Sequence, residues 1–481
     1  MTELYSVINS EIKNYTMKYL FLSIVLATTF LCCVITPVSD ANVKPNVVII
    51  FIDDMGYGDI GPFGSKINET PHLDRMAAEG MKLTTFYVGA SVCTPSRAAL
   101  MTGCYPKRVG LAYGSGHKVL FPGDPHGLNP NEITIAEILK SKGYATGCFG
   151  KWHLGDAKEF LPTNHGFDEY YGIPYSNDMW SKLKRWKFPP LPIVRNEKVI
   201  AQVNTMDEQA DLCRQFTEEA IKFIKKNKDK PFFAYIPHAF VHGPRKARKS
   251  FMSRAKNATE AQIEEVDWSV GQILQTLRDE KLDKNTIVIF TSDNGGDSGC
   301  VNFPLRGGKG TFYEGGYREP TIAWWPGTIG AGAVCDEIIT AMDLLPTFAK
   351  LAGAKAPTDR VIDGKDIIDL LLAKKGATTL HNQFFYHDQN ELKAVRSGRW
   401  KLIDHDNKRF LYDLVSDISE SENVIETHPK IEKQLVAYME IFKADIAKNA
   451  RPVGITENPR TMLPRPGVKG EAFTPTLLIK K

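Results

Sequence analysis

Three short apolar runs, each ending in residues able to do chemistry, constrain the fold of this chain more than any other feature. Asn46 to Ile52 leads into Asp53-Asp54, Pro231 to Ile236 leads into His238 and His242, and Thr286 to Phe290 leads into Ser292-Asp293-Asn294. Apolar, β-branched runs of this length without polar alternation read as strands buried on both faces. Helical patterns lie among them, at Thr134 to Ser141, Asp211 to Lys225 and Glu260 to Asp279. That alternation predicts an α/β fold, a large mixed, mostly parallel sheet sandwiched by helices. Ligands of such sheets gather beyond the carboxyl ends of the strands, so Asp53, His242 and Asp293 are expected to meet.

A further segment, Cys93-Thr94-Pro95-Ser96-Arg97-Ala98-Ala99-Leu100-Met101-Thr102-Gly103, reads as a short helix. Thr94 is expected to cap it, Pro95 to occupy the first helical position, and Gly103 to close it in the left-handed conformation. Cys93 then meets the positive end of the helix, with Arg97 one turn on along the same face. From Cys-x-Pro alone, a buried cysteine before an ordinary helix is an equal reading.

Asp53, Asp54, Asp293 and Asn294 offer only oxygen, which selects a hard cation, Ca²⁺ or Mg²⁺, over Zn²⁺. Either pair alone reads as a turn, but two pairs on separate strands of one sheet favour a metal. His238 rivals His242 for a role at the site, although Pro237 and Pro244 argue against a regular helix presenting both.

Cys93 to Gly103 matches, position by position, the looser form of the type I sulfatase signature. Gly143-Tyr144-Ala145-Thr146-Gly147-Cys148-Phe149-Gly150-Lys151-Trp152-His153-Leu154-Gly155 matches the second signature of that family at the expected spacing. Arg306 to Pro320 looks like its Gly-x-Lys and Glu-Gly-Gly-x-Arg-x-Pro stretch, and His242-Gly243-Pro244 resembles its His-x-Pro. The chain therefore resembles the formylglycine-dependent sulfatases of the alkaline phosphatase superfamily, in the branch of arylsulfatase A and N-acetylgalactosamine 6-sulfatase.

The resemblance implies that a formylglycine-generating or radical maturation enzyme oxidises Cys93 to formylglycine. It implies one cation, Ca²⁺ ahead of Mg²⁺, held by Asp53, Asp54, Asp293, Asn294 and the converted Cys93. Sulfate ester cleavage places charge on the equatorial and departing oxygens, so cations must surround the sulfuryl group. Arg97, Lys151, His153, His242 and Lys309 take catalytic roles on this view. Lys309 and His242 bind the sulfate and protonate the leaving oxygen, His153 accepts a proton, Arg97 and Lys151 fix the hydrated aldehyde, and Asp293 activates it. Ser176, within Gly172 to Asp178, resembles a stretch that reaches the sulfate; a simple turn is the alternative.

Sulfated carbohydrate, a polysaccharide or its oligosaccharides, is the expected substrate, with small aryl sulfates as the alternative. The loops Gly114 to Asp124 and Asn164 to Pro190 are expected to form the outer pocket, with His117, His165, Asn177 and Trp180 as candidate sugar contacts. A phosphoesterase of the same superfamily would use Ser or Thr with two Zn²⁺ and need more metal-binding histidine than this oxygen-only cluster provides. A non-catalytic glycan-binding protein would not require Cys93, Lys151, His153 and Lys309 together.

The 481 residues, 43% apolar and 10% aromatic, suffice for a large domain and a small one. Residues 1–41 read as a signal peptide. Met17-Lys18 precedes the apolar run Tyr19 to Ile35, and Ser39-Asp40-Ala41 resembles a cleavage site; the polar residues before Met17 suggest an upstream start. The run is short for a membrane anchor, and Leu31 and Cys32 disfavour lipid attachment at Cys32 or Cys33. The reading is an exported protein, periplasmic or secreted, or lysosomal in a eukaryote, with no stable membrane insertion.

Residues 42–376 form the expected catalytic domain, 377–450 a small antiparallel-sheet and helix domain, and 451–481 a tail wrapping the surface. Pro304 to Pro326 is expected to be an active-site loop. Five cysteines remain beyond Cys93 in the mature chain, which allows one or two bridges but no complete framework. Net charge is +4, which offers no basis for a nucleic-acid partner. Basic residues do crowd Arg245 to Lys256 and Lys182 to Lys187, either as solvated faces or as a groove for a sulfated chain.

Overall fold

The computed structural model describes residues 44–183 and 187–464. The expected signal peptide, Lys184, Arg185 and Trp186 of one basic stretch, and the tail from residue 465 lie outside the described residues. The strand Asn46–Ile52 pairs in parallel with Phe232–Pro237 on one side and Thr286–Ser292 on the other. These are the three apolar runs, and every residue in them is buried. Val47, Ile49 and Phe51 enter one core while Val48, Ile50 and Ile52 enter the other, which is why the run shows no polar alternation.

Beyond Phe232–Pro237 the sheet continues with Ala145–Lys151 and Glu169–Ile173 in parallel, then Leu191–Arg195 and Lys198–Val203 antiparallel. On the other side, Arg318–Trp324 runs antiparallel between Thr286–Ser292 and Met81–Tyr87, and Ala333–Cys335 extends the edge. Pro71–Glu79, Leu212–Lys226 and Ala258–Asp279 cover one face through Leu73, Phe216 and Val266; Cys93–Thr102, Ile135–Lys140 and Leu344–Leu351 cover the other through Leu100, Ile135 and Phe348. Thr134 and Glu137 close the capping box that starts one of these helices.

The reading of Pro304 to Pro326 as a loop is corrected. Its second half is the short helix Glu314–Tyr317 and the fully buried strand Arg318–Trp324. Pro320 disguises the strand in the sequence, yet it falls where the ladder shifts register between Glu319 and Thr321, so its missing N–H breaks no pair.

A second sheet, all antiparallel, runs Phe384–Asp388, Glu391–Ser397, Trp400–His405 and Lys408–Asp413. The helix Pro429–Asn449 packs on it through Leu435, Met439 and Phe442. Past this helix the chain turns back toward the large sheet. Arg451 pairs with Glu132, and Gly454–Ile455 bonds to His126–Gly127.

Candidate active site

Register brings the two acidic pairs together. Ile52 lies opposite Ser292, so the next residue on each strand, Asp53 and Asp293, leaves the sheet side by side. The Asp293 amide donates to the carbonyl of Ile52 (2.8 Å), and the Asp54 amide donates to Asp293 Oδ1 (3.2 Å). Asp54 adopts a positive φ of 62°, which turns the chain sharply and leaves both carboxylates buried at the strand ends. Asn294 Nδ2 donates to Asp54 Oδ1 (2.7 Å) and to the carbonyl of Gly295 (3.0 Å).

Cys93 enters from the opposite layer as the first residue of its helix, its thiol 3.5 Å from Asp53 Oδ1. Thr94 does not cap the helix: the N-cap is Val92, with no side-chain bond, and the Thr94 hydroxyl donates to the carbonyl of His153 and accepts from the Leu120 amide. Its oxygen thus joins the helix start to two loops around the site instead of satisfying a helix N–H. Gly103 closes the helix at φ 67° as expected.

Every basic side chain named from the sequence for catalysis reaches this cluster except His153, which borders it. Arg97 donates through Nε (3.1 Å) and Nη2 (2.7 Å) to Asp293 Oδ2. Lys151, at the end of Ala145–Lys151, donates to Asp53 Oδ2 (2.6 Å) and Ser176 Oγ (3.1 Å). Lys309 donates to Asp54 Oδ2 (2.7 Å), and His242 Nε2 lies 3.6 Å from the same oxygen. His242 Nδ1 faces the carbonyl of Gly243 at 2.6 Å, which makes Nδ1 the protonated nitrogen. His153 Nε2 donates to the Leu120 carbonyl (2.9 Å), leaving Nδ1 buried with no hydrogen-bond partner among the described residues.

Burial opposes ionisation of Asp53, but Lys151, His242, Arg97 and Lys309 outweigh it and hold the carboxyl far below its usual range. Burial, with Asp53 beside it, pushes Asp293 up to about 7. Burial also drives His153 well below its ordinary value, so its imidazole is a neutral base. The Cys93 thiol is pushed up strongly by burial and is a poor nucleophile in its unconverted state. Lys309 stays charged: burial works against it, yet Asp54 raises it well above normal.

The donor set suits a hard cation. Ligand atoms of Asp53, Cys93 and Asp293 lie within 4.8 Å of one another, as do those of Asp54, Cys93 and His242. Asn294 Oδ1 is a buried acceptor without a hydrogen-bond partner among the described residues, an orphan that a bound cation would satisfy.

Other candidates lie apart. His238 is buried in the core with Nε2 3.0 Å from Ser269 Oγ, and burial lowers it to about 3. Of the candidate sugar contacts, His165, Asn177 and Trp180 are buried, while His117, stacked on Phe121, belongs to a partly open loop. Arg245, Lys246, Arg248 and Arg254 pair with Asp297, Asp207, Glu265 and Glu264, which offsets the charge of these four side chains. All six described cysteines are free. Sequence reasoning missed Thr94 as a loop tie and Ser292, whose Oγ accepts from the Met55 amide, because nothing local marks either contact.

The family profile described as Sulfatase matches residues 45–354, and the profile described as N-sulphoglucosamine sulphohydrolase, C-terminal, matches 308–445. N-acetylgalactosamine-6-sulfatase of Sus scrofa is 39% identical over 382 residues, covering 76% of this chain and 72% of that protein. Arylsulfatase A of Homo sapiens is 40% identical over 384 residues, covering 74% of each. Among solved structures, Ps i-CgsB in complex with k-i-k-neocarrahexaose superposes with a TM-score of 0.73 at 31% identity, covering 83% of this chain and 92% of that one. PsFucS1 sulfatase from Pseudoalteromonas sp. gives a TM-score of 0.77 at 27% identity, covering 85% and 92%.

Proposed function

The chain belongs to the sulfatase family and is a sulfuric ester hydrolase, and from that membership we propose that it releases inorganic sulfate from a sulfated polysaccharide or its oligosaccharides, with residue 93 converted to formylglycine. One observation carries the reading: Cys93 sits where the carboxylates of Asp53, Asp54 and Asp293 meet the cations Arg97, Lys151 and Lys309. Three negative and three positive side chains nearly cancel, so a bound dication would leave the pocket positive, as an anionic ester requires. The carbohydrate assignment is supported by the N-acetylgalactosamine-6-sulfatases and by the neocarrahexaose complex among the similar proteins.

Asp53, Asp54, Asp293 and Asn294, with residue 93, would hold Ca²⁺, which supplies Lewis-acid stabilisation of the sulfate oxygens. Formylglycine supplies a hydrated aldehyde, one hydroxyl serving as nucleophile and the other as the means of releasing sulfate. The chain's own side chains do the rest. Arg97 orients Asp293, which is positioned to take the proton from the nucleophilic hydroxyl. Lys151, fixed by Asp53 and Ser176, holds a second positive charge at the base of the pocket. Lys309 and His242, which both keep some exposed side-chain area, bind the sulfate from the open side and donate to the leaving oxygen. His153 offers a bare Nδ1 lone pair, set in that tautomer by the Leu120 carbonyl.

A maturation enzyme is the implied partner in the cell, and export is the implied route; no helix among the described residues is long and apolar enough to cross a membrane. The test is mass spectrometry of the peptide containing residue 93 from protein co-expressed with a maturation enzyme, followed by sulfate release from a panel of sulfated glycans and an aryl sulfate. Conversion lowers the residue mass by about 18 Da. Converted protein that released sulfate from no ester would overturn the assignment.

A further inference from the structure

Three hydrogen bonds close a ring at the border of the active site. The Thr94 hydroxyl donates to the His153 carbonyl (3.1 Å), the Thr94 oxygen accepts from the Leu120 amide (3.1 Å), and the Leu120 carbonyl accepts from His153 Nε2 (2.9 Å). All three residues are buried. Each donates once and accepts once, so none can shift without breaking two bonds. Helix capping does not account for the hydroxyl, because the N-cap of Cys93–Thr102 is Val92 and makes no side-chain bond.

The ring of bonds holds a residue in an uncommon conformation. His153 has a φ of 59°, in the left-handed region that a residue with a Cβ rarely adopts. Its amide donates to the Pro174 carbonyl (3.0 Å) and its own carbonyl accepts from Thr94, so the backbone is gripped on both sides. Nε2 must carry the proton in order to face the Leu120 carbonyl, and Nδ1 is left as a buried lone pair with no hydrogen-bond partner among the described residues. Lys151, Arg97 and Asp53 all act electrostatically on this imidazole, which puts it beside the charged cluster. The Leu120 carbonyl therefore selects the tautomer, and Thr94 holds Leu120 by its amide.

We propose that Thr94 is a positioning residue for the reaction: through Leu120 and the His153 backbone, its hydroxyl fixes the tautomer and direction of the imidazole, so that Nδ1 is the nitrogen left to accept a proton. This rests on the reading above, in which residue 93 is converted and His153 acts as a base. The proton that His153 takes belongs to sulfate release, after the ester bond is broken, so a misdirected ring slows the later step and spares the earlier one. Thr94→Val is the direct probe. It keeps the β-branched shape and removes both bonds of the hydroxyl, and no cap is lost.

The test uses wild type, Thr94→Val, Thr94→Ser, His153→Ala and the Thr94→Val/His153→Ala double variant, each with conversion at residue 93 confirmed by mass, and 4-nitrophenyl sulfate as substrate. Thr94→Val lowers kcat about ten-fold with kcat/KM little changed, and Thr94→Ser, which keeps the hydroxyl, restores kcat. In the His153→Ala background Thr94→Val lowers kcat no further, because it acts through the missing ring. A second readout needs neither conversion nor turnover. In unconverted protein labelled with ¹⁵N-histidine, wild type and Thr94→Ser show the His153 ring protonated on Nε2 alone, and Thr94→Val shows a second population protonated on Nδ1; Thr94→Ala takes the place of valine if that variant does not fold. Equal loss in kcat and kcat/KM, a further loss in the double variant, or an unchanged tautomer in Thr94→Val overturns the role of Thr94. His153→Ala with wild-type kcat overturns the reading of His153 as a base instead, and the role of Thr94 with it.

Discussion

Arg97 grips Asp293 with two donors of its guanidinium, Nε and Nη2, on one carboxylate oxygen, and both side chains are wholly buried. The same guanidinium donates from Nη1 to the Lys151 carbonyl, so one side chain fixes the ends of two strands. Arg97→Met leaves Asp293 buried beside Asp53 with no direct cation of its own. The expected loss of stability is about 3–5 kcal/mol, read from the urea midpoint, together with loss of sulfate release. Arg97→Lys keeps the charge but not the fork and recovers only part of either.

Removal of the proposed Ca²⁺ is expected to abolish activity while leaving the fold intact. Asp53, Asp54 and Asp293 are each already paired with Lys151, Lys309 and Arg97 in the described structure, so the carboxylates are not left to repel one another. A chelator should lower the unfolding free energy by the binding contribution alone, about 2.7 kcal/mol at a hundred-fold excess of metal over its Kd, and the unfolding temperature accordingly. Ca²⁺ titrated back into the stripped protein restores both readouts. Collapse of the near-ultraviolet circular dichroism on chelation would show that the ion pairs do not carry the site.

The strand ends were legible because fold and chemistry coincide there. Asn46 to Ile52 and Thr286 to Ser292 carry a plain burial pattern, and the acidic residues follow immediately, so predicting the sheet also predicted the meeting of Asp53 and Asp293. The strand Arg318–Trp324 was illegible for the opposite reason: Glu319 and Pro320 are both wrong for a central strand; the local register shift accommodates Pro320, while Glu319 is buried with both carboxyl oxygens lacking a hydrogen-bond partner among the described residues. The burial of Trp180 and His165 was illegible because it follows from tertiary packing and not from any local pattern.

Stability should fall with rising pH through the titration of Asp267. Its carboxylate caps the helix Pro71–Glu79 from outside, accepting from the amides of His72 (3.2 Å) and Leu73 (2.8 Å). Burial nonetheless pushes it up to about 7, because the amides do not repay the lost hydration. The folded value exceeds the unfolded one, so the proton is held more tightly in the native state. The contribution is fully present below pH 4 and is lost between about 4 and 7, at most about 4 kcal/mol for a shift of that size. Asp267→Asn keeps one acceptor and does not ionise; its urea midpoint should be flatter over this range than the wild type's.

Lys401 joins the small sheet to the segment that carries Lys309. Its ammonium donates to Glu314 Oε1 (3.0 Å) and lies 2.8 Å from Glu420 Oε1, with all three side chains buried. Glu314 also accepts from Tyr87 and Tyr386, and Glu420 accepts from the Glu314 amide, so the short helix after Lys309 is held by a closed network. Burial opposes ionisation of Glu314, but Lys401, Arg396 and Arg318 bring it down to about 2. Lys401→Met leaves two buried carboxylates facing each other and should cost about 3–5 kcal/mol. Without the ammonium, the carboxyls titrate higher in the folded protein than in the unfolded chain. The deficit should therefore be smaller at pH 5 than at pH 8, and Glu420→Gln added to Lys401→Met should recover part of it at pH 8. Urea midpoints of both variants at the two pH values decide this; a deficit independent of pH would mean that Lys401 acts by packing alone.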